Sequence, residues 1–176
     1  MNDFQKDGVV SRLAQLDEDL FSLYGTSQML EMTIVGGSAL LIMDLTQNAR
    51  YTTDIDVLSA SPEVLGLLAR YDINTDVSTF LYKYPEGWKK RRVRVPFDGL
   101  ALNVYALSTE DLAITKLLSW RDIDKQDLLN LYTAKSIDLD KLKSILDEIT
   151  ELQINLDEKE WRTLLGRLED FCKGEL

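Results

Sequence analysis

Residues 34–58 read IVGGSALLIMDLTQNARYTTDIDVL. Ile34 and Val35 end an apolar, β-branched strand, Gly36-Gly37-Ser38 turns it, and an apolar run at helical spacing follows at once. A second β-branched stretch then carries Asp54 and Asp56 with Ile55 between them. Residues two apart on a strand point to one face, so both carboxylates project together while Ile55 enters the core. Side-by-side acids repel unless a cation sits with them. Carboxylate oxygens suit Mg²⁺, or Mn²⁺ in its place, which is held by one or two acids plus substrate phosphates. The glycines let backbone N–H groups approach a phosphate where a helix begins. The window therefore points to a nucleotide-handling site, with Gly36, Gly37 and Ser38 on the phosphates and Asp54 and Asp56 on the metal.

Composition narrows the chemistry. The chain has 176 residues, 45% of them hydrophobic, enough for a real core. There is no histidine, which removes a His general base, a Ser-His-Asp triad and a His-ligated zinc site. The single cysteine, Cys172, rules out an internal disulfide and reads as part of the apolar face of the last helix. No signal-like or long apolar segment stands out, so a cytoplasmic protein with no membrane contact is expected. A net charge of −10 argues against a protein that coats nucleic acid generally.

The pattern predicts an α+β fold, a mixed sheet with flanking helices followed by a C-terminal helical bundle, in one compact unit over residues 1–176. The α/β part spans about 26–108 and the helical part about 109–176. Helical spacing covers residues 9–24, closed by Gly25. Strand 33–35, helix 38–45 and strand 54–58 follow, and Ser61-Pro62 starts a helix to residue 70. Residues 80–107 read as strand, with Asp98-Gly99 as a hairpin turn. Ser108 and Asp111 have capping-box spacing ahead of a helix bearing Lys116. Further helices are expected over 124–132, 139–152 and 157–172.

Gly36-Gly37-Ser38 followed by Asp54-Ile55-Asp56 resembles the signature of the nucleotidyltransferase superfamily, the fold class of DNA polymerase beta. Tyr51-Thr52-Thr53-Asp54 resembles one branch of it, containing AbiEii-type and MenT-type toxins and small proteins of the DUF6036 kind. KLLSWRDIDKQD, residues 116–127, is similar to that branch's second, helical motif. The resemblance implies transfer of a nucleoside monophosphate from an NTP to a hydroxyl, with Mg²⁺ on Asp54 and Asp56. It gives Lys116 the leaving pyrophosphate, adds Arg121 to the nucleotide contacts, and makes Asp124 a catalytic candidate. A tRNA or protein acceptor, and a cognate antitoxin or toxin as partner, are implied as well.

The family also places a third carboxylate on a neighbouring strand. Here that strand reads LALNVYAL, and its polar residue off the core is Asn103. Asp124 or Asp127 supplies the missing role, or one metal suffices, or the chain is a catalytically weak nucleotide-binding or protein-interaction module. Simpler roles stand beside the functional ones. Asp54 and Asp56 also fit an exposed strand face. Lys116 fits a solvated helix lysine, Arg121, Asp124 and Lys125 fit a salt-bridged helix face, and Asp127 fits a helix brace. Ser38 suits a helix cap as well as a phosphate contact. The run Trp88-Lys89-Lys90-Arg91-Arg92-Val93-Arg94, preceded by Tyr82 and Tyr84, has the composition of an RNA contact. It equally fits a charged edge strand that prevents sheet-to-sheet association.

Overall fold

A computed structural model describes residues 5–26, 29–46, 51–77, 84–152 and 156–175. Residue contacts sort the chain into two units. The first comprises Met1–Asp44, Asn48–Leu81 and Arg92–Leu107, and the second Leu45–Gln47, Tyr82–Arg91 and Ser108–Leu176. The α+β class expected from the sequence is what the chain adopts.

The first unit is a five-stranded mixed sheet with helices. Helix α1 (Lys6–Tyr24) buries Val9, Leu13, Leu16 and Leu20 along one stripe and stops at Gly25. Strand β1 (Leu30–Val35) runs into α2 (Gly36–Ile42), and β2 (Ile55–Ala60) leads to α3 (Pro62–Leu68). Ser61 and Pro62 begin α3 as the sequence predicts, but the Ser61 hydroxyl accepts from the Glu31 backbone N–H at 3.0 Å rather than capping its own helix. After a 3-10 turn (Ala69–Tyr71), Asp72 takes a left-handed conformation and the chain enters β3 (Ile73–Asn74). Strands β4 (Val93–Arg94) and β5 (Leu102–Ala106) complete the order β3-β2-β1-β5-β4. The β1–β2 and β4–β5 pairs are antiparallel, and β1–β5 and β2–β3 parallel. Helix α1 packs on α2 and α3, α2 on β1 and β2, and α3 on β1. Alternation along β5 buries Leu102, Val104 and Ala106 and leaves Asn103 and Tyr105 on the other face.

An acid on α1 fixes how the sheet receives β5. Asp17, 4% exposed, accepts from the backbone N–H groups of Leu100, Ala101 and Leu102 at 2.7, 2.9 and 2.8 Å. Buried donors without partners are costly, so one carboxylate satisfying three of them is a substantial brace. Gly99 is required there, because a Cβ would stand 2.9 Å from Asp17 Oδ1 and 2.3 Å from the Leu102 carbonyl oxygen.

The basic run departs from the alternating strand expected of it. Trp88–Arg91 forms one helical turn, α4, and only Val93–Arg94 is strand. Gly87, at φ +77°, turns the chain, and the Trp88 N–H bonds the Pro85 carbonyl. Trp88 is buried, and Arg91, one turn on, forms a bidentate pair with Asp111, so a helical period replaces the alternation. Tyr82 and the expected strand start at residue 80 lie outside the described residues.

The second unit is helical. It continues through α5 (Thr109–Ser119), α6 (Asp122–Thr133), α7 (Leu139–Leu152) and α8 (Glu158–Lys173). Ser108 caps α5, its hydroxyl oxygen accepting from the Asp111 N–H at 3.2 Å, which bears out the Ser108–Asp111 spacing. Asp157 and Glu160 cap α8 reciprocally. Arg167 on α8 donates to the carbonyls of Leu117 and Leu118 at 2.7 and 3.1 Å, closing the end of α5, and its guanidinium lies 4.8 Å from the Trp120 ring centre. Cys172 is partly buried on α8, and burial pushes its thiol up, away from thiolate chemistry. Among the described residues, no helix is long and apolar enough to cross a membrane.

Candidate active site

Gly36, Asp54 and Asp56 belong to the first unit, and two of them meet. Gly36 opens α2 at φ +66°, a conformation that favours glycine. A Cβ at that position would stand 3.0 Å from Asp56 Oδ2, so the turn and the acid approach as closely as they do only because the residue has no side chain. The pairing of Val35 with Asp56 brings them to this contact. Asp54 lies in the bend just before β2, with Asp56 on the strand itself. Both are half-buried, whereas Ile55 between them is 1% exposed, which is the alternation expected of the Asp-Ile-Asp run. On the far side of β2, the Asn74 side-chain amide donates to Asp56 Oδ1 at 2.9 Å.

Ser38 faces inward. It is 1% exposed, and its hydroxyl donates to the Val35 carbonyl at 3.0 Å; α2 has no side-chain cap. Gly36 and Gly37 are partly exposed.

The donor set fits a hard divalent cation. Two half-buried carboxylates supply oxygen ligands, and a glycine leaves space at Asp56 Oδ2 that a side chain would fill. Among the described residues, no three acidic, His or Cys side chains form a metal-holding group.

The register changes which residue on β5 matters. Asn103 pairs with Glu31, four positions along β1 from Val35, the partner of Asp56. At about 3.3 Å per residue that is about 13 Å along the sheet, so Asn103 is remote from Asp56. Tyr105, level with Thr33, lies nearer the Asp56 end on the same face as Asn103. The Arg92 guanidinium stacks 3.9 Å from its ring centre, donates to Glu31 Oε2 at 2.6 Å and reaches Thr33 Oγ1 at 3.4 Å.

Lys116, Arg121 and Asp124 come together in the second unit, joined by Asp127. Lys116 is 3% exposed, with its ammonium 3.2 Å from Asp124 Oδ1 and 2.5 Å from Asp127 Oδ2. Asp124 also accepts from Ser119 Oγ at 2.8 Å and Arg121 Nε at 2.7 Å. Burial raises the Asp124 carboxyl, but the hydrogen bond from Arg121, the Lys116 charge and the Ser119 hydroxyl outweigh it and hold it at about 2. Arg121, its side chain 71% exposed, is the cation of this group that reaches solvent.

The basic residues divide similarly. Arg91 is engaged with Asp111 and Arg92 with Glu31, while Lys89, Lys90 and Arg94 are exposed.

A five-stranded mixed sheet with flanking helices, a glycine turn after β1 and an Asp-x-Asp run entering β2 are consistent with a nucleotidyltransferase core. The chain matches the family model described as a nucleotidyltransferase of unknown function, DUF6036, over residues 11–175, and belongs to that family. No curated protein and no solved structure matches it.

Sequence reasoning did not single out Asn74, Asp17 or Arg167. Each acts across the fold on a group far away in sequence, and no local spacing marks such a partnership.

Proposed function

We propose that this chain moves a nucleoside monophosphate from an NTP to a hydroxyl of RNA or protein, pyrophosphate leaving, with Asp54 and Asp56 holding Mg²⁺. The close approach of Gly36 to Asp56 supports this best, because it sets the glycine turn against the acid assigned to the metal. A bound Mg²⁺ would polarise phosphate oxygens and offset the charge on the leaving group. Gly36 and Gly37 present backbone N–H groups to the phosphates. Ser38 shapes that turn through Val35 and contacts phosphate only by giving up this bond.

Lys116 is already shared by two carboxylates, so a phosphate oxygen reaching it competes with Asp124 or Asp127. Arg121 is paired with Asp124 as well, but its side chain is 71% exposed. The same observation favours a second reading, a nucleotide-binding or protein-interaction module with little catalysis, since the lysine assigned to the pyrophosphate is neutralised. An RNA acceptor would draw on exposed charges of the basic run, Lys89 and Lys90 in the second unit or Arg94 in the first. Pairing with a cognate antitoxin or toxin is part of this proposal and rests on the family resemblance, and a cytoplasmic location is proposed with it.

The experiment is transfer of label from α-³²P NTPs, with Mg²⁺ or Mn²⁺, to total RNA and total protein. Label on either acceptor that disappears in Asp54→Asn/Asp56→Asn supports the enzyme. Metal-dependent NTP binding without transfer supports the module. Label retained by the double variant would place the chemistry elsewhere.

A further inference from the structure

Asn74 occupies a position that its sequence surroundings do not explain. Strand β3 is two residues long, and its one inward side chain, Ile73, adds a single apolar group to the core. The strand nonetheless has a defined register, with Ile55 opposite Ile73 and Asp56 opposite Asn74. The turn before it is tied to α1, where Arg12 donates to the Tyr71 carbonyl at 2.6 Å and to Asp72 at 3.0 Å. Asp72 itself has φ 53°.

The amide's orientation is fixed from behind. Its oxygen accepts from the Asp76 backbone N–H at 2.9 Å, which turns the NH₂ group toward Asp56 Oδ1 at 2.9 Å. The flipped amide would set oxygen against carboxylate and NH₂ against N–H. With Oδ1 engaged by Asn74, Asp56 Oδ2 is the oxygen directed at Gly36. A lysine in place of Asn74 would neutralise the acid and compete with a cation, and an aspartate would repel it. A neutral donor orients Asp56 without itself adding a charge to the site.

We infer that Asn74 is a positioning residue for the metal site: its amide holds Asp56 Oδ1 so that Oδ2 faces the glycine turn as a cation ligand. The inference rests on the proposed metal role of Asp54 and Asp56. Outer partners of metal-binding carboxylates commonly govern affinity by about 10–100-fold.

Mn²⁺ binding, followed by the loss of the free-ion electron paramagnetic resonance signal, tests this without any activity assay. Asn74→Ala should weaken Mn²⁺ binding by about tenfold, and Asn74→Gln, which keeps the donor, should restore most of it. The metal-free unfolding midpoint of each variant separates local orientation from loss of fold. Wild-type affinity in Asn74→Ala overturns the inference, as does a loss that Asn74→Gln leaves unrestored. Asp54→Asn/Asp56→Asn, measured alongside, distinguishes the two levels. If that variant also binds Mn²⁺ normally, the metal site itself is misassigned; if only Asn74→Ala binds normally, the fault lies with Asn74 alone.

Discussion

Asp54 and Asp56, in the first unit, are half-buried, and the strand neighbour of Asp56 gives it a neutral amide hydrogen bond. Asp124 and Asp127, in the second, are each 1% exposed and share the ammonium of Lys116. Both groups belong to motifs that the family resemblance reads as catalytic, yet they differ in burial. Half-buried acids keep enough hydration to exchange partners for a cation. Sealed acids depend on the cation they have, because removing it leaves charge in a poorly solvated place. The first arrangement suits ligand exchange, and the second suits holding α5 to α6.

The largest expected effect tests the sealed group. Lys116→Ala should lower unfolding stability in urea by about 3–5 kcal/mol, since two buried carboxylates lose their counter-charge. If the loss is small and NTP binding falls more than NMP binding, Lys116 serves phosphate rather than the α5–α6 junction.

Asp17 sharpens the comparison, because it shares a unit with Asp54 but the burial of Asp124. If burial decides, Asp17→Ala should destabilise by about 2–3 kcal/mol as the N–H groups of Leu100, Ala101 and Leu102 lose their acceptor. A neutral result in thermal or urea unfolding would mean that water replaces the carboxylate there.

A pH series probes Asp124 by itself. Its folded pKa, about 2, lies below its ordinary 3.8, so its contribution to stability is fully present above about pH 4 and is lost as pH falls through 2. The stability gap between wild type and Asp124→Asn should therefore close between about pH 4 and pH 2. A gap independent of pH would show that the hydrogen-bond geometry, not the charge, matters.

The smallest expected stability effect is at the candidate metal site. Asp54→Asn/Asp56→Asn should leave metal-free stability unchanged or slightly raised, because it removes a like-charge pair. It should also abolish Mg²⁺-dependent NTP binding in a calorimetric titration. A large loss of stability would erase the contrast and make these acids structural.

The sequence by itself determined what depends on near neighbours. The Gly-Gly turn between strand and helix, the buried Ile55 between two more exposed acids, and the Ser108 cap of α5 all follow from residues a few positions apart. Such signals depend on backbone periodicity and capping chemistry, which are local. The α4 turn replaces the expected strand because a basic run with one β-branched residue suits strand or helix, and burial of Trp88 with the pairing of Arg91 to Asp111 decides between them. Tertiary structure also decided that Asn74 faces Asp56, that Asp17 receives three N–H groups from residues 83–85 positions away, and that Asn103 sits level with Glu31 instead of Asp56. Strand register determines the Asn74 and Asn103 pairings and helix packing that of Asp17, and both are set by the core closing as a whole. A shift of one residue leaves every local propensity unchanged while sending each side chain to the opposite face.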